Sequence, residues 1–266
     1  MNFNITIGQY YPTKSVIHSL DPRVKLLATF NFIAVLFIAD GFLGYAISGA
    51  LILSIIKLSK VPLKFILKGL RALLFIISFT IIINLLFAPG ETVLVSFWRI
   101  SISTESLLWA LQMGSRLIML IVCSSVLTLT TSPISLTAAI ETLLKPLKRI
   151  RFPVHEIAMM MTIALRFIPT LLEEADKIMK AQMARGASFD TGNIVKRAKS
   201  LIPVLVPLFI SSFRRADELA IAMEARCYRG DINRTRMNIL QYQRRDLFAG
   251  FVLGMYTIIV IILRVM

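Results

Sequence analysis

The chain is poor in reactive side chains. Two cysteines and two histidines stand in 266 residues. Cys123 and Cys227 are too few for a disulfide framework. His18 and His155 have no companion ligand at metal-binding spacing, and they read as ordinary surface or interface residues. Acidic residues are scarce as well: 15, against 30 Lys and Arg, for a formal charge of +15. No apolar run carries a relay of Asp, Glu or His, so a proton- or ion-coupled carrier has little support. There is no G-x-x-x-x-G-K-[ST], hence no loop of its own to cradle a nucleotide phosphate. No Ser/His/Asp or Cys/His constellation appears, so the chain reads as non-catalytic. The opening stretch "MNFNITIGQYYPTKSV" lacks an apolar signal region followed by a small-residue cleavage site, so the apolar runs themselves would direct membrane insertion.

Apolar residues, by contrast, make up 56% of the chain, above the roughly 45–50% of soluble domains. High hydrophobicity and high positive charge fit together when they are segregated, with apolar spans in lipid and basic segments on the cytoplasmic side. Apolar runs of this length exclude a soluble nucleic-acid-binding domain. The reading is an all-α, polytopic membrane protein with about five transmembrane helices and a cytoplasmic region of long amphipathic helices.

Residues 1–23 read as an N-terminal cytoplasmic segment, with Ser19 or Asp21 capping the first helix and Pro22 in its first turn. Residues 24–131 read as four spans. Runs at 26–39 and 41–56 flank a tight turn at Asp40–Gly41, as two spans or one bent element. A third run covers 72–87 and ends at the turn signal "APGE". A fourth covers about 107–127, with Arg116 near its middle. A last span lies within 246–266. Asn31, Asn84 and Arg116 would bond neighbouring helices or line a path. Lys and Arg in the connectors alternate: none, then a cluster at Lys57, Lys60, Lys64, Lys68 and Arg71, then Arg99 alone. That alternation puts the N-terminus and the following basic region inside the cell membrane and the C-terminus outside.

Residues 132–245 hold 19 of the 30 Lys and Arg. The stretch reads as an amphipathic helix from Pro133, then two long helices with kinks expected at Pro169 and at Pro203 and Pro207. The apolar segment 201–213 is too short to span, and is expected to pack at the inner membrane face or against its sister helix. Two stretches repeat at a separation of 41 residues: "EADKIMKAQMARGASFD" from Glu174 and "RADELAIAMEARCYRGD" from Arg215. They share Ala175/Ala216, Asp176/Asp217, Ala181/Ala222, Ala184/Ala225, Arg185/Arg226 and Asp190/Asp231. Each reads as a helix ending in Ala-Arg and a small residue. The mid-helix charges read as a solvated face with local ion pairs. At the two ends, a cation complements the negative end of the helix dipole. A small-flanked arginine also offers a planar five-donor fork to acceptors on another chain. On residue chemistry both readings stand. Met159–Met161, Met179, Met183 and Met223 suit either an adaptable docking surface or core filling between the helices.

Three features together resemble a known family: the paired Ala184-Arg185-Gly186 and Ala225-Arg226-Cys227, the "LDPRVKLL" of residues 20–27, and the order of four spans, basic helical region, last span. They are similar to the transmembrane T component (EcfT and CbiQ-like) of energy-coupling factor transporters. Cys227 departs mildly, standing where the family often has glycine. The resemblance implies a non-catalytic coupling subunit of a vitamin or micronutrient importer. Two ATP-binding-cassette ATPases would dock on Ala184, Arg185, Gly186, Ala225, Arg226 and Cys227. Glu224 and the Asp21-Pro22-Arg23 stretch would be supporting residues. The chain itself would bind no cofactor, with ATP and Mg used by the ATPases, and one small membrane substrate-binding (S) subunit would complete the assembly. A self-contained carrier or channel would need a polar path and internal repeats of its spans, and neither is evident. A non-transporting membrane scaffold is the remaining alternative.

Overall fold

The computed structural model describes residues 10–87, 93–97, 100–187, 189, 193–230 and 240–265. Their helices are α1 Pro22–Ile38, α2 Gly41–Ser59, α3 Leu63–Phe87, α4 Thr104–Thr130, α5 Pro133–Leu144, α6 Val154–Ala184, α7 Ile194–Ala225 and α8 Arg244–Val265. A 3-10 segment, Lys145–Ile150, follows α5. The all-α expectation holds, with one short exception among the described residues: an antiparallel hairpin of β1 Val93–Phe97 and β2 Ile100–Ser103 between α3 and α4. The chain divides into two compact units, one of Met1–Ala139 with Ile239–Met266, the other Ile140–Asn238. The division falls inside α5.

Four helices, α2, α4, α6 and α8, are long and apolar enough to cross a membrane. The bent α3 makes a fifth if its arms Leu63–Arg71 and Leu73–Phe87 form one span. The count agrees with the expected five but the membership differs. Helix α1 ends at the Asp40 turn after 17 residues, about 26 Å at 1.5 Å per residue and short of the ~30 Å hydrocarbon layer. Helix α6, assigned from sequence to the cytoplasmic region, qualifies because residues 154–172 carry only Glu156 and Arg166 as Asp, Glu, Lys or Arg. Its remaining charges crowd its second half. The protein is a multi-pass membrane protein.

In the first unit, α1, α2, α4 and α8 meet around Phe32, Leu36, Tyr45, Ile52, Val122, Val126, Tyr256 and Val260. Phe32 stacks on Tyr256 at 5.7 Å between ring centres, and Ser48 shares a 2.8 Å hydrogen bond with the Tyr256 hydroxyl. Helices α3 and α4 approach closely at Gly114. A Cβ there would meet Ile81 at 2.9 Å. Large apolar side chains face outward too: Phe30, Phe75, Leu247 and Phe251 are all mostly exposed. In water that would be a liability; in lipid it costs nothing. Asn31 joins α1 to α8 through the Thr257 hydroxyl at 2.8 Å, whereas Asn84 turns back to the Thr80 carbonyl of its own helix.

The helix starts follow from short polar side chains. Asp40 accepts the Gly41 N–H and separates α2 from α1, so residues 26–56 are two helices. Ser103 and Ser106 form a reciprocal capping box at α4, which starts earlier than its apolar run. Asp21 caps α1, with Pro22 behind it, as the sequence indicates. Its carboxylate accepts the Arg23 backbone N–H at 2.8 Å and the Arg23 guanidinium at 3.1 and 2.8 Å. That guanidinium also donates to the Leu240 carbonyl and lies 4.0 Å from the centre of the Tyr242 ring. Asp246, in the first turn of α8, accepts the N–H groups of Asp21 and Gln243, both at 2.8 Å. Lys25 donates to the carbonyls of His18 and Thr130. Asp21, Arg23, Lys25 and Asp246 are 4–7% exposed. Four buried charges are tolerable because each is paired or hydrogen-bonded.

The histidines are less superficial than expected. His155 is buried at 8% exposure and bonds Glu141 at 3.0 Å within the second unit. His18 is half-buried, held by Ser15 at 2.7 Å and the Tyr11 carbonyl at 2.9 Å. His155 owes its enclosure to a partner fourteen residues away, whereas His18 is held by near neighbours in the chain.

Truncating Asp246→Ala strands two N–H groups and leaves Arg23 and Lys25 with one counter-charge fewer. Removing one partner from a buried charged network costs about 3–5 kcal/mol. Denaturation of the detergent-solubilised chain should show that loss, and a change within ~0.5 kcal/mol would mean the network is idle. The acid limb has a defined sign. Burial pushes the Asp21 carboxyl up, but the hydrogen bonds and charge of Arg23 outweigh it, and the pKa lies below its ordinary value. The stabilisation is therefore full above about pH 4 and disappears as pH falls through the lowered folded value. Melting temperature should drop on that acid side, and Asp21→Asn should flatten the drop; equal acid slopes in both proteins would refute the assignment.

Candidate functional site

The two repeated helix ends, both in the second unit, have the same backbone construction. At the end of α6, Arg185 is the capping residue at φ −88°, ψ 8°, and Gly186 takes the left-handed conformation at φ 88°. Gly186 N–H donates to the Met183 carbonyl at 2.9 Å and Ala187 N–H to the Gln182 carbonyl at 3.0 Å. At the end of α7, Arg226 sits at φ −89°, ψ 13°, and Cys227 is left-handed at φ 55°. Cys227 N–H donates to the Glu224 carbonyl at 2.8 Å and Tyr228 N–H to the Met223 carbonyl at 3.0 Å. Both are Schellman closures, in which backbone N–H groups satisfy the last carbonyls.

This geometry bears on what the arginines do. The terminal carbonyls are closed by main-chain donors, so the guanidinium groups are not needed as side-chain caps. Among the described residues neither Arg185 nor Arg226 has a side-chain partner. Ala184, Arg185, Gly186, Glu224, Ala225, Arg226 and Cys227 are all exposed. Each end thus presents a free planar cation flanked by surfaces no larger than a cysteine. Asp190 and Asp231 of the repeat lie outside the described residues.

The repeat also sets how α6 and α7 meet. Arg215 donates to Glu174 at 2.8 Å, and the Ser211 hydroxyl donates to the same carboxylate. Glu174 and Arg215 are equivalent positions of the two repeats. Each lies ten residues before its terminal alanine, Ala184 or Ala225, about 15 Å of helix. The crossing is therefore in register, and the two arginines stand at matched distances beyond it. Sequence reading assigned Glu174 to a solvated face and missed this bond. The available signal was the opposite charge at the first position of the aligned repeats. The Asp176–Lys180 pair, by contrast, is the local, largely exposed pair expected of spacing four. Helix α6 runs on through Pro169, and α7 through Pro203 and Pro207.

Met159 accepts a hydrogen bond from the Tyr228 hydroxyl at 2.9 Å, tying the chain after α7 to the start of α6. Met160, Met161 and Met183 are exposed. One stripe of α7 is exposed and apolar: Leu201, Ile202, Leu205, Phe209, Ile210 and Phe213. Asp21, Pro22 and Arg23 belong to the first unit, where the cap of α1 engages them. Among the described residues there is no cluster of His, Cys, Asp and Glu able to hold a metal.

These features define a polytopic membrane protein with two exposed helix ends of like construction, and the comparisons with known proteins give its family. The model of the family described as CbiQ, cobalt transport protein, matches residues 13–238. The chain is 56% identical over 254 residues to the energy-coupling factor transporter transmembrane protein EcfT of Thermosediminibacter oceani, covering 96% of each chain. It is 56% identical over 243 residues to the protein of that name from Ruminiclostridium cellulolyticum (91% of each), and 51% identical over 262 residues to that of Acidaminococcus fermentans (98% of this chain, 97% of the relative). The chain belongs to the CbiQ family and is a transmembrane component of a multi-subunit energy-coupling factor transporter.

The closures carry a stability prediction. Left-handed backbone costs an L-residue roughly 1–2 kcal/mol. Around Gly186 the space is open, so Gly186→Val should lose about that much through the backbone alone. Cys227→Gly should recover up to ~1 kcal/mol, the entropy of glycine offsetting part of the gain. Thermal melts of both variants test this, and a destabilised Cys227→Gly would contradict the shared closure.

Proposed function

We propose that this chain is the coupling subunit of an importer, and that Arg185 and Arg226 each seat one ATP-binding-cassette ATPase. The observation that carries the reading is the repeated Schellman end with its free guanidinium. Two such ends at matched distances from one crossing suit two copies of one kind of groove. The family points the same way, since relatives carry the name energy-coupling factor transporter. In this reading the chain is non-catalytic and binds no cofactor, and ATP with Mg is used by the two ATPases. A separate small membrane subunit captures the substrate, a vitamin or related micronutrient. The exposed apolar stripe of α7 supplies a surface on which such a membrane partner would rest. Closing and opening of the ATPases would tilt α6 and α7 about the Glu174–Arg215 contact and reorient the capture subunit. The domain scheme that goes with this reading is an N-terminal segment (1–23), a four-helix membrane region (24–131), a cytoplasmic coupling region (132–245) and a final span (246–266); it requires α1 to cross with the help of its flanking residues, and α6, though long and apolar enough to span, to lie at the cytoplasmic face.

The docking is tested by Arg185→Glu and Arg226→Glu, singly and together. Losing a charged contact at a buried interface costs about 2–5 kcal/mol, some 30-fold to several thousand-fold in affinity. Arginines that only complemented their helix dipoles would matter by ~0.3–1 kcal/mol. Each single variant should co-purify less ATPase while still inserting in the membrane, and the double variant should bring none, since two points on one assembly act through effective concentration. Normal ATPase recovery and vesicle uptake in the double variant would end the docking reading.

The topology has its own test. In a cysteine-free background, single cysteines at 90–104 should label from outside sealed cells, and those at 186–195 should not. Outside labelling at 186–195 would overturn the cytoplasmic orientation and the ATPase docking with it.

A further inference from the structure

Arg116 lies far from the helix ends just described, in the first unit. It is the thirteenth residue of α4, a helix of 27 residues, or about 40 Å. The helix is longer than the hydrocarbon layer is thick, so mid-helix does not mean mid-membrane. The neighbours of Arg116 fix its level. Its guanidinium carbon is 5.6 Å from the ring centre of Phe37 and 5.7 Å from that of Tyr45. Phe37 is the next-to-last residue of α1 and Tyr45 the fifth of α2, on either side of the turn at Ala39 and Asp40. The guanidinium therefore sits beside the turn joining α1 and α2.

Its hydrogen bonding is incomplete. One N–H reaches the Met113 sulfur at 3.6 Å, a weak acceptor. Arg116 Nε is buried without any partner, and so is the Tyr45 hydroxyl. Two neighbouring buried donors lacking an acceptor are a costly arrangement in a folded chain. Asp40, the acid of the adjacent turn, gives its carboxylate to the Gly41 N–H. What is missing is an acceptor, and an anionic one suits the guanidinium and the hydroxyl alike. The surface beside the turn is apolar and open: Phe37 is 60% exposed, Phe42 84% and Leu43 61%.

We propose that Arg116 and Tyr45 form a binding site for the phosphate of a membrane phospholipid. The Arg116 fork and the Tyr45 hydroxyl would donate to the phosphodiester oxygens. The acyl chains would lie along Phe37, Phe42 and Leu43, contacts that free phosphate has no means of using. One lipid would then be fastened at the α1–α2 turn and complete the polar contacts of α4.

The full-length chain, purified in detergent and stripped of lipid, provides the test. Native mass spectrometry follows titration with dimyristoyl phosphatidylglycerol and, separately, with dimyristoylglycerol, which has the same chains and no phosphate. The phospholipid should give one tight adduct, at least tenfold stronger than the diacylglycerol. Arg116→Gln should weaken that adduct about tenfold or more, as expected for a lost charge-assisted hydrogen bond. Tyr45→Phe should weaken it less, with the fold intact, and Arg116→Lys should retain part of it. The two conservative variants keep the test decisive should Arg116→Gln fail to fold. Excess inorganic phosphate should not displace the lipid. Displacement by phosphate, equal affinity for the diacylglycerol, or unchanged binding by Arg116→Lys and Tyr45→Phe together would each overturn the proposal.

Discussion

Every helix in lipid, or at its edge, must close its own ends. The last carbonyls and first N–H groups have no partner within the helix, and within lipid no water replaces one. This protein meets that constraint by local means. Asp21, Asp40 and Ser103 close the starts of α1, α2 and α4, and main-chain Schellman turns close the ends of α6 and α7. Because the backbone does the closing at Arg185 and Arg226, the arginines are released from it. A capping arginine would spend its donors on carbonyls of its own helix. These two leave their donors free and exposed, as the proposed docking requires.

The contrast with the buried cations is instructive. Arg23 and Lys25 are enclosed, and their donors are taken by Asp21, Leu240, His18 and Thr130. Through Asp246 the same network ties the start of α1 to the start of α8, elements more than two hundred residues apart in sequence. Charge of one sign thus serves opposite ends in one chain. Where it is paired and buried it holds helices together; where it is exposed and unpartnered it is available for recognition. Arg116 falls between these cases, half-enclosed and under-bonded.

The in-register crossing at Glu174 and Arg215 stands ten residues before each terminal alanine, and the proposed coupling rests on that symmetry. The three prolines of α6 and α7, where a helix forgoes one hydrogen bond and bends more easily, all lie before the crossing, and the arms beyond it contain none. Bending is thus favoured on the far side of the crossing from the arginines, which suits the proposed coupling.

Much of this was legible in the chain. Apolar runs, the turn at Asp40 and Gly41, the cap at Asp21 and the doubled Ala-Arg-small ending are local patterns, and local backbone chemistry determines them. The small residue after each arginine encodes the left-handed closure, because few side chains tolerate that conformation. What local pattern could not supply was the identity of distant partners. It took the α1 run for a span and placed α6 in the cytoplasmic region, whereas by length and apolar content α6 qualifies as a span and α1 does not. It gave the DPR stretch a supporting role on resemblance alone, and could not see the bonds by which Asp246, Leu240 and Tyr242 hold it between α1 and α8. It read Glu174 as solvated, where Arg215 and Ser211 of α7 bond it. In the last two cases the deciding atom belongs to another helix, brought near only when apolar burial packs the bundle, and no periodicity within one segment carries that information.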